Sequence, residues 1–300
     1  VQVKHNENIE TVVQEFKTFE GKPTRLKVKK TLVPSLRIYL LRFDYTRITQ
    51  KKLLDALFKH SSVNIIQNNH LTQLRATIPN DPQFDSQWQY INTGASGGVP
   101  NADLDAELAW DITTGGVTAL GDTIVVCVVD DGLDLNHLDF QDNRWFNYGE
   151  IPDNDIDDEG NGYVDDYRGW NADNNTDDIA GGFFGGFHGT PVAGIVGAKG
   201  NNGIGVSGVN WNVKLMIVLG GGGNEAENIA AYSYPLTMRT LYNETNGQEG
   251  AFVVATNSSW GTDYGQPSDA PLWCAMYDEM GMQGIISCGA TANLNIDIDV

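Results

Sequence analysis

Three cysteines, nineteen basic residues and no long apolar run set the outer bounds of this 300-residue chain. Three thiols allow one disulfide at most. Cys127 lies inside an apolar run and reads as core, whereas Cys274 and Cys288 can pair with each other or with cysteines of a C-terminal part outside these residues. Nowhere do the roughly 18 apolar residues of a membrane helix follow one another. The N-terminal residues show no secretory leader pattern, and the chain is expected to begin after one was removed. Positive charge is scarce, with 19 Lys and Arg against 39 Asp and Glu and a net charge of −20, which argues against nucleic acid as a partner. The glycine run Gly220 to Gly223 is not followed by the Lys-Ser/Thr of a phosphate loop and reads as a loose cleft rim.

The charge that is present is unevenly placed. Residues 1–78 hold 14 basic and 6 acidic residues, a net of +8, while residues 79–300 hold 5 basic and 33 acidic, a net of −28. Two domains fit this length, and a basic segment should be attracted to an acidic body. In the basic part, helical patterns cover Ile9 to Phe19 and Thr49 to His60. Strand-like runs cover Gln2 to Lys4, Arg25 to Leu32, Leu36 to Phe43, Val63 to Gln67 and Leu74 to Ile78. Together they predict an α+β split βαβ arrangement. In the acidic part, strand runs at Thr123 to Val129, Val213 to Leu219, Phe252 to Thr256 and Gly284 to Ser287 predict an α/β parallel sheet.

The first of these runs is the most telling. Six consecutive apolar residues after Thr123, rich in valine, suit a strand covered on both faces, and the run ends on Asp130-Asp131-Gly132, where open α/β sheets place their ligands. Later comes His188-Gly189-Thr190-Pro191-Val192-Ala193-Gly194. Thr190 can cap a helix starting at Pro191, and the small residues Gly189, Ala193, Gly194, Gly197 and Ala198 let that helix approach the sheet. An aspartate at a strand end can orient a histidine, which can then deprotonate a hydroxyl nucleophile. The structural alternatives, a capping aspartate and a turn histidine, explain each residue singly but not the pair in this order.

These motifs resemble the subtilisin-like serine proteases, or subtilases, from about Asn80 to the end of the chain. The resemblance implies a three-layer parallel-sheet peptidase domain over residues 79–300, and a small ferredoxin-like α+β propeptide over 1–78 that assists folding and covers the cleft. It implies Asp130 as triad orienter, His188 as general base and Asn293, in Ala290-Thr291-Ala292-Asn293, as oxyanion-hole donor. Asp130-Asp131-Gly132 and Asn257-Ser258-Ser259-Trp260-Gly261 look like the kexin and furin branch. Ser259, Trp260 and Gly261 are the substrate-binding candidates, pairing with an added substrate strand. Asp131 and Asp263 would favour basic side chains, although so acidic a surface supplies carboxylates by chance. Pro79-Asn80-Asp81-Pro82 is similar to a mature subtilase start, so maturation is expected near Arg75 to Asn80.

The family's Gly-Thr-Ser-x-Ala-x-Pro nucleophile signature is not among the 300 residues, and no serine follows Asn293. The chain alone is therefore expected not to carry out acyl transfer. The serine would come from a removed or omitted remainder, such as a separate C-terminal chain. Calcium is the expected cofactor: Asp155, Asp157, Glu159, Asn161 and Asp166 alternate much as in an EF-hand loop, with oxygen ligands suited to a hard cation. A second calcium site, at Asp81, Asp139 and Asn202, is implied by the resemblance alone. His137 resembles a family turn residue and reads as structural. The expected partners are polypeptide substrates and the chain's own propeptide, and the expected location is extracellular or periplasmic. The competing reading is a non-catalytic calcium-binding or peptide-binding module with a subtilase shell.

Overall fold

Short strands alternate with two amphipathic helices over residues 1–70, and the apolar faces of both helices meet on one sheet. Strand β1 (Gln2–Val3) leads into α1 (Ile9–Glu15), which Asn8 starts by accepting the Glu10 N–H. The expected helix is longer, but its last turn is replaced by a hairpin of β2 (Thr18–Phe19) and β3 (Lys22–Pro23). Glu20 and Gly21 turn that hairpin with positive φ angles of 49° and 75°. Strands β4 (Lys27–Val33) and β5 (Ile38–Arg42), helix α2 (Gln50–Phe58) and β6 (Val63–Ile65) follow. The antiparallel order is β4-β5-β1-β6, which with its two helices is the ferredoxin-like βαββαβ arrangement. Val12 and Val13 of α1, Leu53 and Leu57 of α2, and Val3 and Val63 share its core. The computed structural model describes residues 1–70, 77–95, 97–180, 186–262, 265–291 and 293. It divides into two compact units, Val1–Leu74 and Arg75–Val300. Most of the expected strand Leu74 to Ile78 lies outside the described residues.

In the second unit, after a short helix α3 (Ala106–Trp110), the valine-rich run forms β7 (Val125–Asp130). It is joined by β8 (Trp170–Asn171), β9 (Lys214–Leu219), β10 (Val253–Ser258) and β11 (Ile286–Gly289). All pairings are parallel, in the order β11-β10-β7-β9-β8. The period of two divides the strands between two cores. Val125, Cys127, Val129, Met216 and Val218 pack with Ala231, Tyr232, Tyr234 and Met238 of α5 (Glu225–Glu244) and Met280 of α6 (Pro271–Gln283). Val128, Leu215 and Ile217 pack on the opposite face with Ala193 of α4 (Gly189–Gly197). The sheet is thus the middle of three layers, as the resemblance implies. Cys127 is fully buried as expected, whereas Cys274 and Cys288 are separate free thiols, the former on α6 and the latter on β11.

Helix α4 begins at Gly189, two residues earlier than the sequence predicts, with His188 at its cap position. The Thr190 hydroxyl does not cap it; it accepts the Asp134 N–H at 2.9 Å. Instead, the first turn lies directly against the end of β7. A Cβ on Gly189 would sit 2.3 Å from the Gly132 carbonyl oxygen and 3.1 Å from the Asp130 Cβ. Gly189→Ala is expected to cost about 1–3 kcal/mol by overpacking, read as a lower urea midpoint with an unchanged m-value.

Candidate active site

Parallel pairing brings the carboxyl ends of four strands to one edge. Asp130 lies opposite Leu219, Val129 opposite Ser258, and Ser258 opposite Gly289. The loops that start at Asp131, Gly220, Ser259 and Ala290 therefore all leave the sheet on the same side. Asp130 is buried, and α4 delivers His188 to it from across the crevice. His188 Nδ1 lies 2.7 Å from Asp130 Oδ1, with 56% of the histidine side chain exposed against 4% for the aspartate. That hydrogen bond raises the His188 pKa above its ordinary 6.5; burial opposes the rise, and the charges of Asp130 and Asp131 add to it. The two residues are thus a buried, oriented carboxylate and an accessible imidazole whose second nitrogen faces away from that carboxylate.

Asp131 takes a different part from the expected pocket acid. Its two carboxylate oxygens accept the main-chain N–H groups of His188, at 3.1 Å, and Gly189, at 2.6 Å. Asp263 lies outside the described residues. Ser259, Trp260 and Gly261 follow the end of β10. The Trp260 indole turns inward, where it donates to the Val129 carbonyl at 2.8 Å and packs at a tilt against Tyr232 and Trp273. It also explains one glycine of the expected rim: a Cβ on Gly221, whose φ is +87°, would lie 2.4 Å from the indole ring. Ser259 Oγ accepts from the Asn257 amide at 3.1 Å, and Gly261 is exposed with open space around it. Asn293 is exposed, four residues beyond β11.

This edge of the sheet corresponds to a known family. The model of the subtilase family matches residues 121–296, more than half of the chain. The chain belongs to the subtilase family. Subtilisin-like protease 1 of Plasmodium berghei is 44% identical over 107 residues, covering 35% of this chain and 17% of that protein. The extracellular basic protease of Dichelobacter nodosus is 30% identical over 177 residues, covering 55% and 26%. The PC3-like endoprotease variant B of Hydra vulgaris is 34% identical over 141 residues, covering 47% and 17%. This subtilase chain spans about a quarter or less of the length of these relatives. Among solved structures, a serine protease of Aeromonas sobria aligns with a TM-score of 0.47 at 21% identity, over 77% of this chain and 35% of that one.

The acidic loop gathers only part of the expected ligand set. Glu159 and Asp166 converge with Glu150, their carboxylates offering oxygens within 4.8 Å of one another. The Asn161 amide donates to Glu159 at 2.7 Å and to Asp166 at 3.0 Å, and the Asn147 amide bridges the same two carboxylates. Asp155 and Asp157 are not brought in. Asp157 accepts the N–H groups of Asn161 and Gly162, and the Asp155 N–H is held by Asp165. The loop folds as Asx turns rather than as an EF-hand: no α-helix flanks it among the described residues, and only the three-residue 3-10 turn Asp166–Arg168 follows. Glu150 and Asn147 escape sequence reasoning since they precede the alternating acids by several residues. Glu150 and Glu159 each keep one buried oxygen without a partner. Desolvation pushes Asp166 up to about 6, and desolvation, with Asp158 and Glu159 adding, pushes Glu150 well above the usual carboxylate range.

The second expected set is brought together whole. Asp81 accepts the N–H groups of Asn201 and Asn202 at 2.7 and 3.0 Å, and Asp139 accepts from the Asn202 amide at 2.9 Å and the Val206 N–H at 3.0 Å. His137 takes the structural part expected of it, accepting the Asp139 N–H and packing on Phe140. Replacing Asp130 by Asn removes the negative charge that favours the imidazolium and leaves at most a neutral amide oxygen as acceptor. The His188 titration midpoint, followed by ring NMR signals, should move down in Asp130→Asn and stay put in a surface control such as Asp278→Asn.

Proposed function

We propose that this chain is the base-bearing part of a secreted subtilisin-like serine endopeptidase precursor. The observation that carries the reading is the 2.7 Å contact of a buried Asp130 with an exposed His188 at the open edge of a parallel sheet. In the neutral imidazole, Nδ1–H donates to Asp130, which fixes the tautomer and leaves the Nε2 lone pair to take a hydroxyl proton. The nucleophile is assigned to a serine outside these 300 residues. As it attacks a peptide carbonyl, its proton passes to Nε2, and Asp130 stabilises the imidazolium formed. Protonated His188 then gives that proton to the leaving amine. Asn293 is assigned to the oxyanion, a contribution of roughly 3–4 kcal/mol at such sites. Ser259, Trp260 and Gly261 are assigned to the substrate edge, with Trp260 acting through its packing against β7 and Gly221.

Three further assignments belong to the same reading. The basic ferredoxin-like unit is a propeptide, released near Arg75 to Asn80. Likeness to an extracellular protease supports secretion, and no described helix is long and apolar enough to cross a membrane. Calcium is the cofactor. The all-oxygen donor set and the orphaned buried oxygens of Glu150 and Glu159 fit a hard cation, which there supplies charge neutralisation and loop rigidity rather than chemistry. Asp81, Asp139 and Asn202 are the second assigned site, where the carboxylates are already held by N–H groups.

In the serine-bearing protein, His188→Ala is expected to abolish both fluorophosphonate labelling and release of the N-terminal segment, read by intact mass. Undiminished labelling would sink the assignment of His188. Failure of the unaltered protein to label would favour the calcium-binding or peptide-binding module. Because the base must be neutral, kcat/KM should rise as pH passes upward through the raised His188 pKa.

Calcium at about a hundred times its dissociation constant should stabilise the fold by about 2.7 kcal/mol. A chelator should remove that gain. Glu150→Gln should reduce the calcium-dependent shift in thermal midpoint, and an equal shift in variant and parent would exclude this cluster as the site.

A further inference from the structure

The dipeptide Asp130-Asp131 grips a single residue twice. Asp130 holds the His188 ring, while Asp131 holds the His188 and Gly189 N–H groups at 3.1 and 2.6 Å. The Asp131 N–H itself donates to Asp130 Oδ1 at 2.8 Å, which links both grips into one network. Three features make the second grip matter. No side chain within the helix start caps α4, so its first N–H groups depend on an acceptor from elsewhere. Thr190, the local residue able to cap, is occupied by Asp134. Finally, Gly189 has no Cβ and lets the helix start come within reach of the short aspartate side chain.

We propose that Asp131 is a positioning residue for the general base: its carboxylate fixes the main chain at His188 so that the imidazole meets Asp130. This rests on the reading of His188 as the base. It gives the second aspartate of Asp130-Asp131-Gly132 a task at the helix start rather than in a substrate pocket. The charged groups that act on the imidazole are Asp130 and Asp131, both from the end of β7. A carboxylate at position 131 therefore favours imidazolium as well as anchoring its backbone.

The test needs no nucleophile, since it follows His188 itself in the 300-residue chain with its five histidines. Ring titration and amide exchange of His188 and Gly189 are compared in the parent chain, Asp131→Asn and Asp131→Glu. In Asp131→Asn the titration midpoint should fall. Both amides should exchange about tenfold faster or more, as for loss of a charge-assisted hydrogen bond. Asp131→Glu keeps the charge but not the reach. It should retain a raised midpoint yet exchange faster than the parent, and it carries the comparison should Asp131→Asn unfold.

In the serine-bearing protein, Asp131→Asn should lower kcat on the order of tenfold or more, with KM held within about twofold. Unmoved titration and exchange would overturn the proposal. So would a defect confined to KM for peptides with basic side chains, which would return Asp131 to substrate selection. Activity retained in His188→Ala would instead sink the base assignment while leaving the exchange result standing.

Discussion

The pairing of β7 between β9 and β10 is the constraint on which the site depends. Parallel register lets no strand slip by one residue without turning its core side chains to the wrong face. Here both faces are covered, by α5 and α6 on one side and α4 on the other. The alternation Cys127, Val128, Val129 therefore locks the strand in place, and Asp130 with it. Because β10 and β11 run the same way, Ser258 and Gly289 end at nearly the same level. A charged residue can be tolerated at that edge, where the buried strand meets a crevice.

The second constraint is the docking of α4. Its burial against Val213 and Leu215 supplies the driving force, but hydrophobic packing alone is not directional enough to aim an imidazole. Direction comes from polar contacts at the helix start, where unpaired N–H groups need acceptors and two adjacent aspartates offer them. A Cβ on Gly189 would meet the Gly132 carbonyl and the Asp130 Cβ, so only a glycine lets the helix start come this close to the strand end. On the neighbouring loop, Trp260 spans from Val129 to Gly221. The strand end that carries Asp130 is thus tied laterally as well.

Much of this was legible in the residues. Continuous apolar runs mark four of the five parallel strands to within two residues, since burial on both faces leaves no polar alternation; the two-residue β8 is too short to leave such a run. The Asp130 and His188 segments are legible because each places a titratable group directly at an element boundary. What sequence could not give depended on long-range contact. The start of α4 lies at Gly189 because an acceptor 57 and 58 positions away from the two N–H groups it holds supplies its cap. The helix expected to run to Phe19 ended early because a hairpin formed across Glu20 and Gly21. Alternating acids in the loop suggested an EF-hand, yet Asp157 folds back on its own backbone. Glu150 enters from outside the pattern.

An acidic chain must settle each buried carboxylate, and the manner of settlement separates their roles. Asp81 and Asp139 are satisfied by backbone N–H groups and a side-chain amide, neutral donors that fix a loop without any charge exchange. Asp130 is matched to an imidazole, a partner whose charge comes and goes within the physiological range. Glu159 and Asp166 share the amide donors of Asn147 and Asn161, Glu150 accepts the Ile151 N–H, and no ion pair reaches the three among the described residues. Desolvation raises Glu150 and Asp166 above the usual carboxylate range, so their charged forms are held at a cost. Protons offsetting that cost would leave a site whose integrity fades as pH rises, whereas the calcium proposed for it would hold it in the same range where a neutral His188 would act as the proposed base.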